Sequence, residues 1–365
     1  MIGYILFIFL LIRLAISFYN RISQLYLPST YTLEEKPFLS VLIPARNEEK
    51  NIGNLLEELA FSDYKQLEII VYDDLSTDST ASIVETFASQ YPSIRLIHGT
   101  GPAKGWLGKN YACYQLAEAA KGEMLLFLDA DVRVGKRLPE KSIAYMQQEK
   151  TAFFSIFPRQ LMPVFSTRLA VPVMNWILLA LLPMPLIRLL PYPSLSAANG
   201  QFMFFDAATY HQIDPHKVFR NNPVEDIAII REYKKKGFKV ATLLGDKEIS
   251  CEMYRSLREA INGFSKNVFQ FFGGSVITTF LYAVVTTITP FWLFMGHMPT
   301  AGWISIAAIM LIRMFISSAS KQSVVLNILL IIPQQLIFWI IIFTALIRRK
   351  NKTIIWKERN IYEDT

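Results

Sequence analysis

Four stretches of this sequence are apolar over the length of a bilayer, and they constrain everything else the chain can do. They are residues 2–19 (IGYILFIFLLIRLAISFY), 276–296 (VITTFLYAVVTTITPFWLFMG), 301–317 (AGWISIAAIMLIRMFIS) and 324–347 (VVLNILLIIPQQLIFWIIIFTALI). A spanning helix needs roughly 20 such residues. The whole chain of 365 residues is 52% hydrophobic and only 18% charged, against about 25% charged in ordinary soluble domains. Disorder, a collagen-like repeat, a disulfide scaffold and a wholly soluble enzyme are excluded. The remaining polar residues are too few to cover these runs as buried helices of a soluble core. The first run has no basic start and no Ala-x-Ala-like site, so it reads as an uncleaved anchor over residues 1–20 rather than a signal peptide. Arg13 lies near enough to its end for the side chain to snorkel.

The charge balance, 37 Lys+Arg against 30 Asp+Glu, gives +7. Lys and Arg flanking membrane segments on the cytoplasmic side explain that sign. The polar block has no basic stripe with interleaved aromatics, so nucleic acid is not an expected partner. The two cysteines, Cys113 and Cys251, form no metal-type spacing and fit a reduced compartment. His98, His211, His216 and His297 are too scattered to suggest a catalytic set.

The polar block 31–163 and the basic residues Arg348–Lys352 both read as cytoplasmic, which makes the chain a multi-pass protein of the cell membrane with a cytoplasmic domain. Three full crossings over 275–347 would put the basic tail, 348–365, on the wrong side. One run is therefore expected to be re-entrant. The last is the candidate, because Pro333-Gln334-Gln335 interrupts it and freed backbone in a membrane must be buried in protein. A fifth apolar stretch, 169–190, contains Pro172, Pro183, Pro185, Asn175 and Arg188 and is expected to form an interfacial helix pair.

Between the anchor and the last three runs, strands and helices alternate. FLSVLIP (38–44), LEIIVY (67–72), 94–98 and MLLFL (124–128) read as buried strands. The intervening helices have Asn47 as a candidate cap for the first and Gly122 as the stop of the one over 109–121. Such alternation implies a doubly wound sheet with parallel strands, and ligands of these sheets bind beyond the carboxyl ends of the strands. Asp73-Asp74 stands at one such end and Asp129-Ala130-Asp131 at another. Two carboxylates one residue apart suit Mg²⁺ or Mn²⁺, with coordination positions left for phosphate. The loop Gly101-Pro-Ala-Lys-Gly-Trp-Leu-Gly-Lys109 offers glycines for close backbone approach, with Lys104 and Lys109 as charge for an anion. Glu225-Asp226 opens a helix closed by Lys234–Lys236 and Gly237, and the helix N-terminus is expected to keep these acids ionised. Neither GxGxxG nor GxxxxGK[ST] is present, which argues against a dinucleotide oxidoreductase or a P-loop NTPase.

VLIPARNEE (41–49), DDLSTDST (73–80), DAD (129–131) and ED (225–226), in this order, resemble family-2 glycosyltransferases. The resemblance implies a GT-A type doubly wound mixed sheet over residues 31–270. GWLGKNYACYQ (105–115), MYRSLREAINGFSKN (253–267) and IIWKERNIY (354–362) resemble more narrowly the membrane glycosyltransferases that include 4,4'-diaponeurosporenoate glycosyltransferase and hopanoid-associated relatives. The likeness implies inverting transfer from a nucleoside-diphosphate sugar, most often a UDP-sugar, with Mg²⁺ or Mn²⁺, to a membrane lipid such as a carotenoid or other terpenoid. Pro44, Arg46 and Glu48 would surround the base, and Asp74 or Asp73 would contact the uridine. Asp129 and Asp131 would hold the ribose and the metal–diphosphate. Asp226, beside Glu225, would be the general base. Lys104, Lys109 and either Arg258 or Lys266 would face the diphosphate. No QxxRW is present, which departs from the pattern of processive synthases. The alternatives are a polyprenyl-phosphate or cell-envelope polysaccharide sugar transferase and, in another class, a transporter or scaffold with a degenerate nucleotide domain. The last lacks acidic residues in the C-terminal runs.

Overall fold

The computed structural model describes residues 1–296, 298–351, 355–356 and 359–360. His297 and most of the basic tail beyond Asn351 lie outside the described residues. The chain divides into two compact units. One comprises Leu25–Arg159, Pro185–Cys251 and the described residues 355–356 and 359–360; the other comprises Met1–Gln24, Gln160–Met184 and the described residues from Glu252 to Asn351.

The first unit is an α/β layer structure. Its strands run β1 Leu39–Ala45, β2 Leu67–Asp73, β3 Ile94–His98, β4 Met124–Leu128, β5 Val132–Val134, β6 Phe153–Phe157, β7 Arg159–Gln160, β8 Phe202–Asp206, β9 Val240–Leu244 and β10 Ile249–Cys251. Seven of them form one sheet in the order β3-β2-β1-β4-β8-β6-β9. β1, β2, β3 and β4 are mutually parallel, as the strand–helix alternation requires. β8 runs antiparallel to both β4 and β6, so the sheet is mixed and not wholly parallel. β1 sits centrally, with Leu39, Val41, Leu42 and Ile43 fully buried, as expected of a strand covered on both faces. β5 and β10 pair antiparallel beside it in a smaller sheet.

Asn47 does not cap the first helix of this unit. The helix spans Ile52–Ala60, with Asn51 at its start. Asn47 instead adopts φ 52°, a left-handed turn conformation asparagine tolerates, and its Oδ1 accepts from the Thr77 amide at 2.8 Å. That bond is one of several joining the loops after β1 and β2. The Glu48 amide donates to Thr80 Oγ1 at 2.8 Å, the Glu49 amide to Asp78 Oδ2 at 3.1 Å, and the Ser79 amide to Glu49 Oε2 at 3.2 Å. The Ser, Thr and Asp residues of 73–80 thus serve largely to lace two loops together at the carboxyl edge of the sheet.

The second unit is helical. Among the described residues, four helices are long and apolar enough to cross a membrane: Ile2–Ile22, Val276–Met295, Pro299–Ala319 and Ile331–Lys350. Ile2–Ile22 lies parallel to Pro299–Ala319, with Phe18 beside Phe315 and Arg21 Nε donating to Ser318 Oγ at 2.7 Å. Arg13 does not snorkel; it is 7% exposed, and its guanidinium lies over the rings of Phe9 and Tyr282. The stretch 169–190 forms two short helices, Pro172–Leu181 and Pro185–Leu189. The first is not laid out on a surface. It is buried in the helical unit, and Asn20 Nδ2 donates to the carbonyls of Leu179 and Leu182 at its end.

The last apolar run does break, but three residues before Pro333. A short helix, Val324–Leu329, ends at Leu330, and Ile331–Asn351 starts at once, with Pro333 in its first turn, where the missing N–H costs nothing. Asn327 Nδ2 donates to Ser317 Oγ at 2.9 Å, and Gln334 Nε2 donates to Asn327 Oδ1 at 2.8 Å. The short helix therefore runs back alongside Pro299–Ala319. Ile331–Asn351 then runs antiparallel to Val276–Met295: Gln335 Nε2 bonds Thr287 Oγ1 at 2.9 Å, and farther along Phe343 meets Phe280. At its far end Arg348 donates to Asn262 and Ser265 of helix Leu257–Asn267.

The α/β unit contains one deeply buried ion pair, Lys141 Nζ to Glu248 Oε1 at 2.7 Å, with side chains 3% and 6% exposed. Lys141→Met should destabilise the protein by about 3–5 kcal/mol because Glu248 loses its close counter-charge, whereas the double change with Glu248→Leu should be near neutral. Thermal melts of both variants in detergent check this, and equal losses would refute it.

Candidate active site

A cleft of about 150 Å³ opens at the carboxyl ends of β1, β2 and β4 and is lined by Pro44, Ala45, Arg46, Glu48, Asp74, Gly108, Lys109, Ala112, Asp129, Ala130 and Asp131. Of the sequence-derived candidates, Pro44, Arg46, Glu48, Asp74, Lys109, Asp129 and Asp131 come together here. Both Asp73 and Asp74 are buried, but Asp74 lines the cleft, while Asp73 closes β2 and accepts from the Ser76 amide at 3.3 Å. Arg46 Nη1 donates to the Asp74 carbonyl at 2.5 Å, fixing the rim of the cleft. Lys104 is exposed in the loop before helix Gly108–Ala119 and is not part of the lining. Arg258 and Lys266 lie on helix Leu257–Asn267 of the helical unit.

Lys109 is the centre of the polar network. Its Nζ is 2.7 Å from Asp129 Oδ1 and 3.9 Å from Glu225 Oε1. Burial opposes its charge, but the two carboxylates hold its pKa above the ordinary lysine value. It thereby joins the DAD and ED motifs, which lie far apart in sequence. Glu225 is buried and Asp226 keeps some exposed surface. Asp226 Oδ2 accepts from the Gly200 amide at 3.1 Å, and its Oδ1 accepts from the Ile227 amide at 2.7 Å. The expected lowering of these acids by the helix N-terminus does not prevail. Burial raises Glu225 to about 7, with Lys109 opposing and Asp226 adding repulsion. Burial likewise raises Asp226. Desolvation outweighs the helix dipole.

Sequence reasoning missed Gly200, Gln201 and Asn110. Because β8 is antiparallel to β4, with Leu128 paired to Phe202, residues 199–201 arrive beside Asp129. A Cβ on Gly200 would meet Lys109 Nζ at 3.1 Å and Glu225 Oε1 at 3.3 Å, so the backbone passes where a larger residue would press on the ion pair. Gln201 Nε2 donates to Asp131 Oδ1 at 3.2 Å and to Cys251 Sγ at 3.0 Å. Asn110 Nδ2 donates to the carbonyls of Phe219 and Asn222 at 2.9 and 3.1 Å, pinning the loop that leads to Glu225. At the other end of that helix, Lys234 Nζ donates to the carbonyls of Leu190, Tyr192 and Leu195. The Asn199-Gly200 dipeptide, a turn signal, was the one visible hint. His216, buried and bonded to the Tyr210 hydroxyl at 2.7 Å, is held neutral, its pKa lowered to about 3 by burial, and is structural.

The donor set fits a hard divalent cation. Asp129 and Asp131 share the cleft, and burial together with Asp129 and Glu48 raises Asp131 to about 6, a surplus of negative charge that a cation relieves. Among the described residues no three His, Cys, Asp or Glu side chains converge as a self-sufficient metal cage. Such sites leave coordination positions to phosphate oxygens.

The model of Glycosyl transferase family 2 matches residues 40–210. Residues 40–210 are thus similar to glycosyl transferase family 2 domains. The chain is 26% identical over 259 residues to 4,4'-diaponeurosporenoate glycosyltransferase of Staphylococcus haemolyticus, covering 68% of this chain and 66% of that protein, just under two thirds of its length. It is 33% identical over 116 residues to beta-monoglucosyldiacylglycerol synthase of a Nostoc species, covering 31% of this chain and 24% of that one. The fold matches that of mannosyltransferase PcManGT from Pyrobaculum calidifontis, solved in complex with GDP-Man and Mn²⁺, with TM-score 0.55 and 17% identity over 96% of this chain and 99% of that one. The mixed sheet is therefore of the GT-A type.

Glu225 sets a pH dependence of stability. Its pKa is raised from 4.5 to about 7 in the folded state, so the stabilisation it contributes is complete in acid and is lost as pH rises through about 7. The melting temperature should fall between about pH 5 and pH 8 without divalent cation, and Glu225→Gln should flatten that fall. A parallel slope in the variant would contradict the assignment.

Proposed function

We propose that the protein is an inverting glycosyltransferase that moves a sugar from a UDP-sugar to a hydroxylated membrane lipid of the carotenoid or terpenoid kind. The observation that carries this is the convergence of the DAD and ED carboxylates on Lys109 at the carboxyl edge of the sheet. The names of the two relatives support a lipid acceptor, and the bound nucleotide sugar of the fold neighbour supports the donor class.

In this reading Pro44, Arg46, Glu48 and Asp74 enclose the nucleotide base. Asp129 takes the ribose and Asp131 the metal side of the diphosphate. Asp131 and Asp129 would hold Mg²⁺ or Mn²⁺, which would supply charge compensation for the leaving diphosphate. Lys109 orients Asp129 and adds positive charge beside the phosphates. Asp226, the more open of the two helix-start acids, removes the proton of the acceptor hydroxyl as that oxygen attacks the anomeric carbon from the face opposite the leaving group. Its raised pKa makes it a stronger base than a solvated aspartate. Buried Glu225 braces Lys109.

The helical unit is proposed to hold the catalytic domain at the cytoplasmic face of the membrane. Helix Leu257–Asn267 precedes Val276–Met295, and Arg348 at the end of the last long helix bonds to it. Residues 324–351 would then enter and leave on one side as a re-entrant hairpin, which keeps the basic residues after 347 with the catalytic domain.

Asp226→Asn should lower transfer to a hydroxyl acceptor by ~10²–10⁴-fold while nucleotide affinity persists. Radiolabelled UDP-sugar and extracted lipids measure the first, and calorimetry with UDP measures the second. Unchanged turnover would remove Asp226 from the mechanism and point to an acceptor already ionised, such as a carboxylate. Comparison of lipids from cells with and without the gene should show a missing glycolipid; an acid-labile phosphodiester there would refute the hydroxylated acceptor. A reporter fused after Asn351 should read cytoplasmic, and an external reading would overturn the hairpin.

A further inference from the structure

Two guanidinium groups lie inside the helical unit with no carboxylate to meet them. Arg13, on Ile2–Ile22, and Arg313, on Pro299–Ala319, are each 7% exposed. The bilayer-length helices contain no Asp or Glu, so they offer no counter-charge. What surrounds the arginines is aromatic. Arg13 sits 5.9 Å from the Phe9 ring centroid and 5.3 Å from that of Tyr282, and Arg313 sits 4.2 Å from that of Trp176. Tyr282 and Trp176 both pack against Phe338, at 6.2 and 5.2 Å between ring centroids, which draws the two arginines into one cluster. The Tyr282 hydroxyl as well as its ring is turned to Arg13.

Hydrogen-bond donors outnumber acceptors in this cluster. Arg313 Nη1 donates to Gln334 Oε1 at 3.2 Å, but Arg13 Nε and Trp176 Nε1 are buried with no acceptor. Ring faces attract a cation yet do not satisfy its N–H groups, and unpaired donors in an apolar surrounding are costly. Two like charges within one apolar cluster add to that cost. Intramembrane ionisable residues are retained where they bind or move something.

We infer that this cluster is a binding site for the anionic head group of a membrane amphiphile, a phosphate or a carboxylate, engaged by Arg13 and Arg313 together. Planar guanidinium groups match the paired oxygens of either group. Trp176 Nε1 supplies a further donor, and Phe9, which keeps some exposed surface, gives the acyl or isoprenoid chain an apolar contact. The site belongs wholly to the helical unit, so it does not depend on the reaction proposed above.

The test is native mass spectrometry of the full chain from detergent. The probes are dioleoyl phosphatidic acid, oleate and dioleoyl phosphatidylcholine. Wild-type protein should retain one equivalent of phosphatidic acid or of oleate, and whichever binds more tightly identifies the head group as phosphate or carboxylate. Phosphatidylcholine should not be retained. Arg313→Met and Arg13→Met should each weaken retention about tenfold or more, with Arg313→Lys intermediate. Should these variants fold poorly, the wild-type protein still decides the matter. Brominated forms of the anionic probe should quench tryptophan fluorescence more than brominated phosphatidylcholine, and Trp176→Phe should remove the difference. Equal retention of all three lipids, retention unchanged in both methionine variants, or equal quenching by both brominated lipids would overturn the inference.

Discussion

Lys109 stands between two acidic pairs that would otherwise repel one another in a confined space. Asp129, Asp131, Glu225 and Asp226 arrive from a strand end and a helix start nearly a hundred residues apart in sequence. Without a cation among them, four carboxylates in low-dielectric surroundings would ionise only at high cost. A single ammonium at 2.7 Å from Asp129 and 3.9 Å from Glu225 lets the two acidic pairs share one cleft. The rest of the site is arranged to deliver that lysine and receive it. Asn110, one residue on, ties the same helix to the loop before Glu225.

Strand reversal is the second device. In a wholly parallel sheet, the start of every strand lies at the edge opposite the ligand. β8 runs the other way, so its N-terminal approach, Asn199-Gly200-Gln201, reaches the carboxyl edge and threads between the acidic pairs. Gly200 presents its amide to Asp226, and Gln201 steadies Asp131. The helix that starts with Glu225 is gripped at its far end too, where Lys234 holds three carbonyls of 190–195. The segment that supplies Gly200 and the helix that supplies Asp226 are thus fastened together at both ends, which limits how far base and cleft drift apart.

Much of this was legible in the sequence. The apolar runs and the parallel strands β1 to β4 carry strong local patterns, and the acids at strand ends follow from where such sheets bind ligands. The residues that escaped notice act through contacts between distant elements. Gln201 and Asn110 are ordinary amides until an antiparallel strand and a loop are brought to them. Asn47 misled because a polar residue ahead of an apolar helix looks like a cap, whereas its neighbours in space lie in the 73–80 loop. The protonation of Glu225 and Asp226 misled for a related reason: helix position can be read from sequence, but desolvation depends on everything that packs around the helix. Arg13 looked like a snorkelling residue because the aromatic rings that receive it lie in other parts of the chain.

The helical unit is assembled from three separate stretches of chain, and its closing bonds come from Arg348. During synthesis, therefore, every strand of the seven-stranded sheet is made by Leu244, while the helical unit still lacks its residues from Glu252 onward. The insertion Gln160–Met184 must wait for partners not yet made. Its buried Trp176 and Asn175 would be exposed throughout that interval. The order of birth thus favours a catalytic domain that matures first and a membrane portion whose early segments are vulnerable to misassembly until translation ends.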